Sequence, residues 1–341
     1  MHPYGLSNSG GKALKRVGLV VIGRNEGDRL RQCLHSVVGK AERIVYVDSG
    51  STDGSLELAR SLNVDVVELD LSIPFTAARA RNAGFERLLQ TAPNLEFVQF
   101  VDGDCEVVEG WLDHAASELE NNPKIAVVCG RRRERFPEQT IYNQMCDMEW
   151  NTPVGDTSAC GGDSMMRVEA FQQVGGFNPT LIAGEEPELC VRLRQNGWKI
   201  FRLDAEMTLH DAQMTRFGQW WKRAKRAGHA YAEGSWLHGG EPERHWVKET
   251  RSIWLWGLFI PLIAIGGAFS THGLSLLLLL GYPLQFVRMF RNLRRQNISS
   301  KNATFYTLSC IVGKFAQAEG ALGFLRTRLL GTKSTLIEYK Q

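Results

Sequence analysis

From Val17 onward, short runs rich in Val and Ile alternate with stretches of helical periodicity. Residues 17–22, 43–47, 64–69, 96–101 and 125–128 are apolar, bounded by polar turns, and read as buried strands. Between them, 28–38, 55–61, 76–89 and 110–120 repeat their apolar positions at helical spacing. Strands alternating with helices predict an α/β fold, an open and mostly parallel Rossmann-like sheet flanked by helices. Residues 1–16 mix Gly, Ser, Asn and Lys with no apolar run, which predicts a flexible N-terminus without a secretory signal. Gly5, Gly11 and Lys12 lack the spacing of a phosphate-binding loop, Ala13 stands where Ser or Thr belongs, and no strand precedes them.

Past about residue 150 the pattern changes to Gly-rich loops and then to basic, Trp-rich sequence. Two apolar segments follow, 253–269 and 274–287, separated by Ser270-Thr271-His272-Gly273. Each falls slightly short of the roughly 20 residues that span a bilayer. They form either a pair of buried core helices or a membrane hairpin. The scarcity of polar positions, with Trp254, Trp256 and Tyr282 placed for an interface, favours the hairpin. Arg251 precedes the pair and Arg288, Arg291, Arg294 and Arg295 follow it, so both ends would stay on the cytoplasmic face. Residues 303–328 contain Lys314 and Glu319 and end on Arg326 and Arg328, which predicts an amphipathic interfacial helix. The expected division is a catalytic domain over 17–235 and a membrane-associated helical region over 236–341.

Composition mostly excludes. A formal charge of +3 is too weak to argue for nucleic acid, and the seven cysteines are scattered without a CxxC pair, against a disulfide framework or zinc site. Asn297 and Asn302 begin glycosylation sequons, which mean little without secretion.

The polar clusters fall at the carboxyl ends of predicted strands, where open α/β sheets bind ligands. Asn25 and Glu26 follow the first strand, Asp48 through Asp53 the second, and Asp102-Gly103-Asp104 the fourth. Two carboxylates flanking a glycine can meet one hard divalent cation, Mg or Mn, that bridges diphosphate oxygens; the simpler reading is an acidic turn. Asp53 either caps the following helix or accepts a hydrogen bond from a base or ribose. Arg79 and Arg81 precede Asn82 on a predicted helix, where residues two apart point in different directions, so one arginine faces the cleft. Glu185, Glu186 and Glu188 open a helix near Pro187, as its dipole favours. Alternatively, one of these carboxylates is a general base for an acceptor hydroxyl.

Taken in order, the motifs resemble family 2 glycosyltransferases, which have the GT-A fold. They are Val20-Val21-Ile22-Gly23-Arg24-Asn25-Glu26, the turn 48–54, Ala80-Arg81-Asn82-Ala83-Gly84, Asp102-Gly103-Asp104, Gly161-Gly162-Asp163-Ser164, Gly175-Gly176-Phe177 and Gly184-Glu185-Glu186. The resemblance implies a nucleoside pocket at Glu26, Asp53 and Arg81. Asn25, Asp48, Arg79, Asn82, Asp102, Gly162 and Asp163 are the further donor-site positions. It implies Asp104 as the main metal ligand, with Asp102 and His210 beside it, and Glu186 as the base. The family's Glu-Asp motif is Glu-Glu here, which leaves Glu185 as the alternative. Gln219-Trp220-Trp221-Lys222-Arg223 departs from the Gln-x-x-Arg-Trp signature of processive members, so one sugar per event is expected.

The expected function is therefore inverting transfer from a nucleotide-sugar, a UDP-sugar, to a lipid-linked saccharide at the cytoplasmic membrane face, in exopolysaccharide or related glycan biosynthesis. A sugar-phosphate nucleotidyltransferase shares the fold, but Gly23-Arg24-Asn25-Glu26 does not supply its Gly-rich basic signature. A non-catalytic nucleotide-sugar scaffold is the other alternative, and the intact acidic set stands against it.

Overall fold

The computed structural model describes residues 14–332 and 335–338; Gly5, Gly11, Lys12 and Ala13 lie outside the described residues. By internal contacts the chain divides into two units. One takes in Met1–Arg135, Trp150–Pro179 and Arg192–Asp211; the other takes in Phe136–Glu149, Thr180–Val191 and Ala212–Gln341.

The first unit holds the sheet. β1 (Leu14–Gly23) pairs in parallel with β2 (Ala41–Asp48) and with β4 (Phe97–Asp102), and β2 pairs in parallel with β3 (Asp65–Glu68). The helices α1 (Asp28–Val37), α2 (Ser55–Ser61), α3 (Ala77–Thr91) and α4 (Trp111–Asn121) fall within two residues of their expected bounds. β1 starts at Leu14, three residues ahead of the apolar run. Val17, Leu19, Val20 and Val21 are all at most 1% exposed, so both faces of this strand are covered, as its unbroken apolar sequence requires. Gly84 lets α3 lie directly on the sheet, because a Cβ there would come within 2.4 Å of Val20 Cγ1 and 2.8 Å of Val47 Cγ2.

Beyond β4 the sheet becomes mixed. β8 (Ser164–Arg167) runs antiparallel to both β4 and β6 (Ile125–Glu134), and β9 (Lys199–His210) is parallel to β6. The short strands β5 (Cys105–Val107) and β7 (Gly155–Thr157) pair antiparallel with β9. The nine strands run in the order 3-2-1-4-8-6-9-5, with β7 also on β9. α6 (Val168–Gln173) follows β8.

The second unit is helical. It contains α5 (Ile141–Glu149), the start of α7 (Glu185–Gln195), α8 (Phe217–His238), α9 (Val247–Trp254), α10 (Ile260–Gly266), α11 (Gly281–Arg295) and α12 (Ser300–Leu329). A π-helical turn, Leu255–Phe259, joins α9 to α10, and a 3-10 segment, Leu274–Leu280, leads into α11. α8 and α12 cross with their backbones touching. A Cβ on Gly228 would meet Gln317 O at 2.0 Å, and one on Gly320 would meet Lys225 O at 1.9 Å. Close by, Lys225 and Trp221 both donate to the Glu319 carboxylate, so this polar residue is paired within the helical packing. Around Ile253, fully buried, gather Ala318, Ala321 and Phe324 of α12.

The two apolar segments form the two arms α9–α10 and 274–295. Their outward side chains are aliphatic and aromatic: Phe259, Leu262, Ile263, Ile265, Phe269, Leu274, Leu277 and Leu284 are all exposed. Among the described residues one stretch, Leu274–Arg295 (22 residues, mean hydropathy 1.2), is long and apolar enough to cross a membrane, and none of its most apolar window is buried.

Candidate active site

The carboxyl ends of β1, β2 and β4 lie level, since Gly23 pairs with Asp48 and Ile22 with Asp102. Two adjoining polar assemblies occupy them.

The first belongs to the loops after β1 and β2. Asp48 is buried; its Oδ1 accepts from the Tyr46 hydroxyl at 2.9 Å and its Oδ2 from the N–H groups of Gly50 and Ser51, each at 2.8 Å. Burial beside this carboxylate pushes the Tyr46 phenol well above its usual pKa. Asn25, at a left-handed φ of 54°, accepts from Thr52 N–H at 2.7 Å and donates its own N–H to Ser51 Oγ at 2.9 Å. Asp53 accepts from Gly27 N–H through one oxygen and from the Ser55 N–H and hydroxyl through the other. Burial would raise its pKa, but these hydrogen bonds outweigh that and hold it below the usual value. Asp53 thus does the work of a cap for α2 one residue ahead of Gly54, the N-cap itself. Glu26 pairs with Arg29 at 2.7 Å and leans over Gly23 and Gly103, where a Cβ on either glycine would come within 3.3 to 3.4 Å of its Cγ.

The second assembly centres on Asp102. Its Oδ1 pairs with Arg81 at 2.8 Å and its Oδ2 with Arg132 at 3.0 Å, while its N–H donates to Asp163 Oδ1 at 3.0 Å. Asp163 has no exposed surface and also accepts from Arg132 at 2.8 Å and from Thr208 Oγ1 at 2.7 Å. A buried carboxylate is tolerated only with such pairing. Arg132 is itself largely covered; burial alone would lower its pKa, but Asp163 and the other acids around it raise it further above the ordinary value. Its guanidinium lies 5.3 Å from the Trp150 ring centroid, and Trp150 meets the His210 ring edge-on at 4.9 Å. Gly162, like Asp163, is buried.

Asp104 points to a different partner. Its Oδ2 lies 3.3 Å from His210 Nε2, and His210 Nδ1 lies 3.6 Å from Glu134 Oε2. Burial lowers the His210 pKa, yet Asp104 and Glu134 outweigh it and the net shift is upward. Asp104, Cys105 and His210 present ligand atoms within 4.8 Å of one another, and so do Asp102, Cys105 and Asp163. The donor chemistry separates the groups. Burial raises the Cys105 thiol well above its usual pKa, and its sulfur is a soft ligand that suits Mg or Mn less than carboxylate and imidazole do. Both Asp102 oxygens are committed to arginines. Asp104 and His210 remain as a carboxylate–imidazole pair that fits a divalent cation.

Arg79 and Asn82 do not join these assemblies. Arg79 donates to the carbonyls of Asp70 (2.6 Å) and Ile73 (2.8 Å), clamping the loop before α3. Asn82 makes a two-way bond with the Phe177 backbone, Nδ2 to O at 2.8 Å and N–H to Oδ1 at 3.0 Å. Arg81, two residues from Arg79, turns inward and is 2% exposed. Sequence reasoning missed Arg132, Glu134 and Trp150; the run Arg131-Arg132-Arg133 inside an apolar strand was the available signal.

In the helical unit, α7 starts at Glu185, which is buried, while Glu186 is half-buried. Glu188, also buried, faces His238 Nε2 at 3.0 Å.

A parallel β3-β2-β1-β4 half-sheet continued by mixed strands, with acidic loops at its carboxyl edge, is the architecture of the GT-A fold. Residues 19–175 match the sequence model of glycosyl transferase family 2, and residues 145–216 match one described as the N-terminal domain of galactosyltransferase. Residues 19–175 thus carry a glycosyl transferase family 2 domain. Glycosyltransferase AglE of Haloferax volcanii is 23% identical over 225 residues, covering 62% of this chain and 71% of that protein. Succinoglycan biosynthesis protein ExoA of Rhizobium meliloti is 25% identical over 175 residues, 48% of this chain and 52% of its own length, so the match spans about half of that relative. The mannosyltransferase PcManGT from Pyrobaculum calidifontis, solved with GDP-Man and Mn2+, shares the fold with a TM-score of 0.60 at 17% identity, over 91% of this chain and 87% of that one.

Proposed function

We propose that the protein is an inverting transferase that moves one sugar from a nucleotide-sugar, a UDP-sugar, to a lipid-linked saccharide in exopolysaccharide or related glycan biosynthesis. The observation that carries the donor reading is the Asp104–His210 pair standing beside Asp102, whose carboxylate Arg81 and Arg132 hold in place. The GDP-Man and Mn2+ in PcManGT and the name of ExoA are consistent with it. Asp104 and His210 would hold the divalent ion; a mixed oxygen–nitrogen set favours Mn over Mg. When bound, that ion neutralises charge on the diphosphate leaving group. The loop built on Asn25, Asp48, Asp53 and Glu26 receives the nucleoside, with Asp48 fixing the turn from beneath. Glu186 takes the proton of the acceptor hydroxyl as that oxygen bonds to the anomeric carbon and the nucleoside diphosphate departs from the opposite face. Its greater exposure than Glu185 supports this assignment.

The acceptor reading rests on the outward apolar residues of the helical unit, which suit attachment to the cytoplasmic face of a membrane. The test is a screen of UDP- and GDP-sugars, following nucleotide release with membrane extract as acceptor, in Mn2+ and in excess chelator. Asp104→Ala should lose at least about 10²-fold in turnover, more than is typical for loss of an outer partner of a metal. Full activity in chelator would remove the ion from the mechanism.

A further inference from the structure

We infer that the arms Leu255–Gly266 and 274–287 form a re-entrant hairpin whose tip stops inside the lipid bilayer and never reaches the far side. The inference rests on the membrane attachment proposed above and specifies its geometry. Three independent observations point to it.

The first is reach. The rising helix is uncharged from Ser252 to Gly266 and extends about 22 Å over that stretch. The returning arm has 7 residues of 3-10 helix, about 14 Å, and then about 10 Å of α11 before Arg288. Taken without charged residues, both fall short of the roughly 30 Å hydrocarbon layer; Leu274–Arg295 reaches the length of a span only by carrying arginines into it.

The second is charge. No Asp, Glu, Lys or Arg lies between Arg251 and Arg288, and Arg288, Arg291, Arg294 and Arg295, all exposed, stand at the base of the returning arm. These suit anionic headgroups on one face. The tip carries no charged residue for the opposite face: Phe269 is 97% exposed and Leu274 69%, with the exposed Ser270 and His272 between them.

The third is polar satisfaction. A tip emerging into water can leave its polar groups to the solvent, whereas a tip in hydrocarbon must satisfy them internally. Every hydroxyl between Ile253 and Val287 donates to a backbone carbonyl of the hairpin. Ser270 and Thr271 reach Gly267 O at 3.1 and 2.7 Å, Ser275 reaches Ala264 O at 2.7 Å, and Tyr282 reaches Trp256 O at 2.5 Å. The N–H groups of Gly267 and Ala268, and of every residue from Thr271 to Leu276, are also bonded within the hairpin.

The test uses the full chain with Cys310, the one cysteine not fully buried, changed to Ser. His272→Cys and Ser270→Cys, both at exposed tip positions, are compared with Arg295→Cys at the base. Sealed inside-out and right-side-out vesicles of an expressing bacterium are treated with a membrane-impermeant maleimide, before and after detergent. The tip variants should resist labelling in both vesicle types and label in detergent, while Arg295→Cys labels in inside-out vesicles alone. Labelling of the tip in right-side-out vesicles would overturn the inference and leave membrane attachment standing, since the hairpin then crosses. Labelling of the tip in inside-out vesicles, with the chain resisting an alkaline carbonate wash, would overturn it in favour of a surface-lying hairpin. Release of the chain by that wash would sink the attachment itself.

Discussion

In the sheet-bearing unit, Val20, Val47 and Phe100 are fully covered, and the charged groups Asp163, Asp102, Arg81 and Arg132 sit among such residues in a closed set of ion pairs. In the helical unit the arrangement is turned about. Ile253 and Ala264 are buried, yet Phe259, Leu262, Ile265, Leu277 and Leu284 face outward. A polar interior is costly unless every group is paired, so the first unit encloses Asp102 and Asp163 beside the arginines that pair them. An apolar exterior is unfavourable in water, so the second leaves a face that suits an apolar cover. The contrast teaches that hydrophobic content alone does not separate core from surface: α3 and α11 are both amphipathic, but only α3 has a sheet to cover.

The contrast can be broken at several points. The largest effect is expected on chemistry at the start of α7. Glu186→Gln should lower kcat by about 10²–10⁴-fold while calorimetric donor affinity stays near normal. Glu185→Gln, at a buried position, should act mainly on stability or positioning. Near-normal turnover in Glu186→Gln with collapse in Glu185→Gln would reverse the assignment. Next comes the polar interior: Arg132→Met strands the Asp163 charge and should cost about 3–5 kcal/mol, read by urea unfolding. A loss below 1 kcal/mol would mean that this set is not closed as described.

The helical unit is probed through its tightest crossing. Gly228→Val drives a side chain into the Gln317 backbone and should cost about 1–3 kcal/mol, seen as a lower melting temperature in detergent. An unchanged melt would show that α8 and α12 do not meet there. The smallest effect concerns Asp53. Its pKa is depressed, so its contribution to stability is complete above the unfolded value near 4 and is lost as pH falls through the folded value. Asp53→Asn should therefore lower the melting temperature slightly at neutral pH and flatten the acid limb, the two proteins converging at low pH. An identical acid limb in both proteins would contradict the loop's hydrogen bonding.

Strands β1, β2, β4 and β6 were legible because burial on both faces demands an unbroken apolar run. α1 and α3 were legible because one covered face imposes the helical repeat. β5, β7 and β8 were not, being three or four residues long, and β9 was masked by Lys199, Arg202, Asp204 and Glu206. The acids of the site could be named from their place after strands. Their partners could not. Arg132 looks like one of three solvated arginines until the pairing of β6 with β8 and β9 sets Val128 against Met165 and Arg132 against Thr208.

The sequence by itself determined the α/β alternation, the acidic turns at the strand ends and the uncharged stretch from Ser252 to Val287, since each is a local pattern of residue types. Only the tertiary structure decided which acids are committed to arginines, which one faces an imidazole, and which apolar side chains point outward. Those outcomes depend on residues far apart in the chain meeting across strands and helices, as Arg81 meets Asp102 at a separation of 21 and Arg132 meets Asp163 and Asp102 at 31 and 30. No local pattern records such a meeting, because the free energy of an ion pair or a buried face belongs to both partners at once.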